Sequence, residues 1–205
     1  MPKLKRFKYK PISLKEILIE MKENLDLMID LAYSAIRFQS KEIANEVVKI
    51  EERIHELVFL IDLQAMMAHP GLQDAKSIEL IVRVGYAIDK ISDALADIAK
   101  VTFINDEIWV FTQYLWGYIP EPIIKVKVSP ESEIAGSLVG EINFRAKFGV
   151  DLIAIRREKR WIYNPIAEER ILENDRILVR GEMPSLVQIK SYCKDDAPIS
   201  FNLKG

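Results

Sequence analysis

The hydrophobic pattern of this 205-residue chain changes period once, near residue 119, and that change constrains its architecture more than any other feature. Up to that point apolar residues recur every three or four positions, the spacing of one face of an α-helix. Beyond it they alternate, or run in short blocks rich in β-branched residues, as in strands. Six of the nine prolines follow the change, beginning with Pro120 and Pro122, whose fixed φ and missing N–H do not continue a helix. Two domains are therefore expected, residues 1–119 and 120–205.

In the first domain Ser13 and Glu16 have the spacing of a capping box, and Ile17, Met21, Leu25, Met28, Leu31 and Ala35 follow in helical register. A first helix is predicted over about 13–38. Ser40 can cap a second, over about 40–68, whose Ile43, Val47, Ile50, Ile54, Leu57, Val58 and Ile61 make one stripe ending before His69-Pro70-Gly71. A third is predicted from Asp74 to about 102, on Ile78, Ile81, Val82, Ile88, Ile91, Leu95 and Ile98. A shorter fourth starts at Asn105 and carries Trp109, Tyr114 and Trp116. Apolar faces joined by short connections imply an antiparallel helical bundle.

In the second domain strands are predicted at Ile123–Val128, Val150–Arg156, Trp161–Tyr163 and Arg176–Arg180, with helices over Ser137–Asn143 and Ser185–Tyr192 and a tail from Asp195. The order β-α-β-β-β-α describes a small α+β domain. So small a unit has little core of its own, and pairing with a second copy is expected.

Several functions are excluded by what the chain lacks. Its longest apolar runs, such as Leu57–Ile61, are far shorter than the roughly 20 residues that cross a bilayer. The basic N-terminus has no apolar stretch behind it, so a cytoplasmic location is expected. Cys193 is the only cysteine, which leaves no Cys-x-x-Cys pair, and no two glycines stand one residue apart, which removes the dinucleotide-binding fingerprint. The two histidines, His55 and His69, accompany no nucleophile elbow, and the chain is expected not to be an enzyme. Residues 11–119 carry ten basic and eighteen acidic residues; this negative body opposes nucleic-acid binding despite the basic arm at 3–10.

Pairs of acids in the helices are the candidate metal ligands. Positions i and i+4 lie about 40° apart on a helix, so Glu52 and Glu56 share one line and Asp89, Asp93 and Asp97 another. Carboxylates so arranged can clasp a divalent cation. The apolar stripes of both helices nevertheless centre on nearly opposite sides, which turns these acids toward water.

Ordered motifs within residues 123–192 resemble the TrkA C-terminal domain, the C-terminal part of the regulator of potassium conductance. They are Val126, Ile134-Ala-Gly136-Ser-Leu138, Gly149-Val-Asp-Leu-Ile-Ala-Ile-Arg156, Asn164-Pro165 and Asn174-Asp175-Arg-Ile-Leu-Val-Arg-Gly181. One departure is Arg156-Arg-Glu-Lys-Arg160, where a hairpin glycine is common in that family. The resemblance implies a regulatory domain of potassium transport that dimerises and binds a small ligand, cyclic di-adenosine monophosphate being the best known. By position the ligand contacts fall on Ile155, Arg156, Asn164 and Pro165.

Ile50-Glu-Glu-Arg-Ile-His-Glu-Leu57 and Ala87-Ile-Asp-Lys-Ile-Ser-Asp93 resemble the acidic signatures of the PhoU family, whose members regulate phosphate uptake and bind metal at such positions. One three-helix repeat is present instead of the usual two. Together the two resemblances imply a cytoplasmic homodimer that acts on a membrane cation channel or transporter, at the inner face of the membrane through that partner. The alternative is a metal-binding accessory protein of phosphate transport, with Glu52, Glu56, Asp89 and Asp93 as ligands.

Overall fold

The computed structural model describes residues 13–68, 72–104 and 120–199. The basic arm, the predicted fourth helix with Trp109, Tyr114 and Trp116, the predicted boundary at 119/120 and the tail beyond residue 199 lie outside the described residues. Contacts divide the described residues into two units, one of 13–32 with 41–100, the other of 33–40 with those beyond 100.

The helices are α1 Leu14–Arg37, α2 Lys41–Met67 and α3 Leu72–Lys100, with a 3-10 turn at Val101–Phe103 after the last. The capping box forms as expected: Ser13 N donates to Glu16 Oε2 at 2.8 Å, and Glu16 N to Ser13 Oγ at 3.2 Å. These bonds hold the Glu16 carboxyl below its usual range. At the other end of α1, Gln39 takes a left-handed φ of 46° and Ser40 N donates to Ala35 O, which turns the chain into α2. The predicted stripes become the core: Ile17, Met21, Met28, Leu31 and Ala35 of α1 are fully buried, and Ile43, Val47, Ile54 and Leu57 of α2 likewise. In α3 the single predicted stripe does not hold, because Leu95, Ala96 and Ala99 are buried while Ile91 is 47% exposed.

The second domain is a four-stranded antiparallel sheet in the order β1-β4-β2-β3, made by β1 Ile123–Lys127, β2 Val150–Arg157, β3 Arg160–Tyr163 and β4 Arg176–Gly181. The helix predicted over Ser137–Asn143 is the shorter α4 Val139–Ile142, and a further short helix that was not predicted, α5 Phe144–Phe148, follows it. Asn143 breaks them with a φ of 46°, while its Oδ1 accepts from Ala146 N and so caps α5. The last helix, α6, is Met183–Cys193. Val126, Ile155, Ile177 and Val179 of the sheet join Ile134, Phe144, Phe148, Leu186 and Ile189 in one core. Gly149, at φ 69°, makes the left-handed turn into β2, and a side chain at Gly181 would meet Val150 Cγ1 at 2.9 Å. The β2–β3 turn, which lacks the family's glycine, is made by Glu158 at a φ of 52°.

Candidate functional sites

A hollow of about 280 Å³ lies beside α4 and α5, lined by Val139, Asn143, Arg145, Asp151, Pro165 and Ala167 among others. Gly140 N donates to Ala167 O at 2.9 Å, and this close approach seats the 165–167 segment against α4. Asp151 stands at the edge of the hollow, joined to Arg145 and, at 2.9 Å, to Arg180. Burial alone would raise its carboxyl, yet the two guanidinium groups hold it below its usual value. The hollow therefore offers an apolar floor beside a balanced ionic rim.

The loop from Asn164 to Asp175 is fixed from beneath by Arg157. Its Nε and Nη2 donate to Asp175 at 3.0 and 2.9 Å, its Nη1 donates to Glu169 at 3.0 Å, and its Nη2 also donates to Arg170 O. Asp175, 1% exposed, also accepts from Leu172 N at 2.8 Å. A planar guanidinium can serve this many acceptors at once because its donors form a rigid fork.

The four ligand residues expected from the resemblance divide by position. Pro165 lines the hollow. Asn164 is exposed and left-handed, with its N–H on Ile153 O, so it ends β3 as a turn. Arg156 pairs across the sheet with Trp161, its guanidinium 5.2 Å from the ring centre, and Trp161 in turn stacks on Tyr163. Ile155 is fully buried in the core, facing the helices, because the sheet alternation that leaves Arg156 half-buried on one face turns its neighbour inward.

The acid pairs also divide, and here the helices bring together residues that their spacing did not single out. His55 Nε2 of α2 lies 3.3 Å from Asp89 Oδ1 and 3.1 Å from Asp93 Oδ1 of α3. Glu51, one turn before His55, completes a set with His55 and Asp93 whose ligand atoms all lie within 4.8 Å of one another. Asp89 Oδ1 is buried and receives no hydrogen bond among the described residues. Burial raises the Asp89 carboxyl, which His55 lowers and Asp93 raises further. Glu52 is exposed and Glu56 is held by Arg53 at 2.9 Å, so neither joins the cluster. A divalent cation suits this donor set, since imidazole and carboxylate together are ordinary ligands for one.

Family comparison assigns both halves. Residues 18–102 match the PhoU domain and residues 123–194 the TrkA-C domain. This chain joins a PhoU domain to a TrkA-C domain. It is 33% identical over 61 residues to Ktr system potassium uptake protein C of Bacillus subtilis (strain 168), over 30% of this chain and 28% of that one. It is 35% identical over 71 residues to the uncharacterized transporter YfbS of Escherichia coli (strain K12), over 35% of this chain and 12% of that one. The chain thus spans less than a third of the length of either relative. Among solved structures, an RCK_C domain dimer of S. agalactiae BusR in complex with c-di-AMP is 28% identical. It covers 35% of this chain and 95% of that chain, with a TM-score of 0.34. No helix among the described residues is long and apolar enough to cross a membrane.

In the TrkA-C domain, sequence reasoning missed the loop clasp and the rim of the hollow. Asp151 and Asp175 stand inside the motifs that carry the resemblance, but their arginine partners Arg145, Arg157 and Arg180 are placed by the sheet and loops rather than by any spacing. In the PhoU domain, Glu51 and His55 stand four apart, the same signal that drew attention to Glu52 and Glu56 one residue further on.

Proposed function

We propose that this chain is a non-enzymatic regulatory protein of potassium transport whose TrkA-C domains pair as a homodimer and bind a small anionic nucleotide of the cyclic di-adenosine monophosphate class. The observation that carries this reading is the match of residues 123–194 to the TrkA-C domain, beside a 61-residue similarity to a potassium uptake protein. A hollow of about 280 Å³ is at the lower edge of the roughly 300–1,000 Å³ typical of small-molecule sites. It suits one nucleotide half of a two-fold ligand, the second half falling to the second copy. Outside the lining of the hollow, Arg156 and the Trp161 face offer a cation and an aromatic surface, which suit phosphate and base. Of the other residues the resemblance points to, Pro165 lines the hollow, Asn164 precedes it in the chain, and Ile155 lies in the core outside that lining. Ligand binding would favour one arrangement of the PhoU domains, with a coupling of about 1–3 kcal/mol, and so alter their hold on a membrane cation channel or transporter at the cytoplasmic face.

Calorimetric titration with cyclic di-adenosine monophosphate and with its linear dinucleotide tests the reading. Saturable binding of the cyclic form, weakened at least tenfold by Arg156→Ala, is the expected result. No heat with any adenine nucleotide would refute the sensor, and unchanged affinity in Arg156→Ala would refute that residue's role.

A second reading, a metal-binding accessory protein of phosphate transport, is favoured by the convergence of Glu51, His55 and Asp93. With Asp89 they would hold a divalent cation that ties α2 to α3, while Glu52 and Glu56 remain solvated. Elemental analysis of protein purified without chelator, compared with an Asp89→Ala/Asp93→Ala variant, separates the two readings. Stoichiometric metal lost in the variant supports this one, and metal-free wild-type protein rejects it.

A further inference from the structure

Helix α3 carries a second apolar line that stays largely exposed among the described residues. Leu80, Val84, Ala87, Ile91, Ala94 and Ile98 follow one another at alternating steps of four and three, the spacing of a coiled-coil seam. Leu80 is 63% exposed, Val84 49% and Ile91 47%. Ala87 and Ala94 are exposed and Ile98 half-buried. The face of α3 that packs on α2 is a different one: Gly85, Ser92, Leu95, Ala96 and Ala99 are buried there, and a side chain at Gly85 would meet Ile61 Cδ1 at 3.0 Å. At 100° per residue the two faces are roughly 115° apart. An apolar line of this regularity on the outside of a helix marks a contact surface, since scattered exposed residues need no such period.

The order of large and small residues says what fits it. Run antiparallel against itself, the seam sets Leu80 opposite the second copy's Ile98, Val84 opposite its Ala94 and Ala87 opposite its Ile91. Each alanine then faces a larger side chain, and the alternation lets the helices close to about 8–10 Å. A parallel pairing would set alanine on alanine twice and leave voids. Charge agrees with this direction. The residues flanking the seam on one side are Arg83, Lys90 and Asp97, and the antiparallel arrangement places each Arg83 beside the second copy's Asp97. Both side chains are well exposed, Arg83 resting on Glu79 at 2.7 Å and Asp97 lying 3.7 Å from Lys100, so they can be shared with a second copy. Lys90 facing Lys90 near the axis is the one like-charged contact.

We propose that the outer seam of α3 is an interface, through which two copies of this chain pair antiparallel about a two-fold axis at the level of Asp89. The contact is independent of any pairing of the TrkA-C domains. Cysteine crosslinking on the full chain tests it. Cys193 is fully buried and its thiol is pushed up to about 12 by that burial, so it does not compete. Lys90→Cys, exposed and beside the axis, should give a covalent dimer with a short bis-maleimide. Leu80→Cys should not, because the two copies of residue 80 stand about 27 Å apart along the paired helices. Adding Ala87→Glu to Lys90→Cys should abolish the crosslink with helicity unchanged by circular dichroism. No crosslink at Lys90→Cys, equal crosslinking at both positions, or a crosslink that survives Ala87→Glu would each overturn the proposal.

Discussion

Replacing Asp175 by alanine should loosen the loop that carries Asn164 and Pro165 and lower the stability of the TrkA-C domain. The side chain is 1% exposed and accepts three hydrogen bonds, two from Arg157 and one from Leu172 N. All three bonds end on the charged carboxylate, and bonds to a charged group are worth about 1.5–3 kcal/mol each. Arg157 is 30% exposed and keeps Glu169, so water and that acid recover part of its loss. The expected cost is about 2–3 kcal/mol. At about 4–8 °C per kcal/mol for a domain of this size, the melting temperature should fall by roughly 10–20 °C. Asp175→Asn, which keeps an oxygen for Leu172 N, should lose about half as much. Scanning calorimetry measures the shift, and hydrogen exchange locates it. A loss below about 0.5 kcal/mol, the range of ordinary surface substitutions, or unchanged protection across residues 164–175, would refute the reasoning.

Three further outcomes follow from the geometry. Burial raises the Asp89 carboxyl, with His55 opposing and Asp93 adding to it, so its ionised form costs stability. That cost builds as pH rises from about 4, where an unfolded aspartate ionises, through the raised folded value. Asp89→Asn should therefore melt higher than wild type at pH 7 and equally at pH 3.5; an equal gain at both would show that ionisation is not the cause. Gly140→Ala would put a methyl 2.9 Å from Ala167 Cβ and 3.2 Å from Ala167 O, so a loss of about 1–3 kcal/mol is expected in thermal melts, together with weaker nucleotide binding. Cys193 should resist alkylation in the native protein at pH 8 and react only on unfolding, because its thiol is buried and pushed up to about 12; stoichiometric native labelling would contradict that burial.

The parts legible beforehand were those that local physics governs. The Ser13–Glu16 box, the stripes of α1 and α2, Gly149 as the turn into β2 and Gly181 as the end of β4 all depend on residues near one another in the chain. The short helix α5 was harder, since five residues after a left-handed Asn143 are too few to show a helical period. The acidic stripes were drawn from each helix separately. Such a reading turns Asp89 and Asp93 toward water, and it cannot show that the adjoining α2 presents His55 to the same edge. Arg157 sits in a run of charges at a hairpin, and only the return of the chain to Asp175 makes it a clasp.

Amino-acid order alone settled the division into helical and β-containing halves, because side-chain periods of 3.6 and 2 differ at every turn and survive without neighbours. It also carried the motifs by which the PhoU and TrkA-C domains are known. Tertiary structure alone decided which of two apolar faces of α3 is buried, which carboxylates meet a histidine, and which arginine holds the loop. Those are distances between residues remote in the chain, set by how helices and strands pack, and no local pattern encodes them.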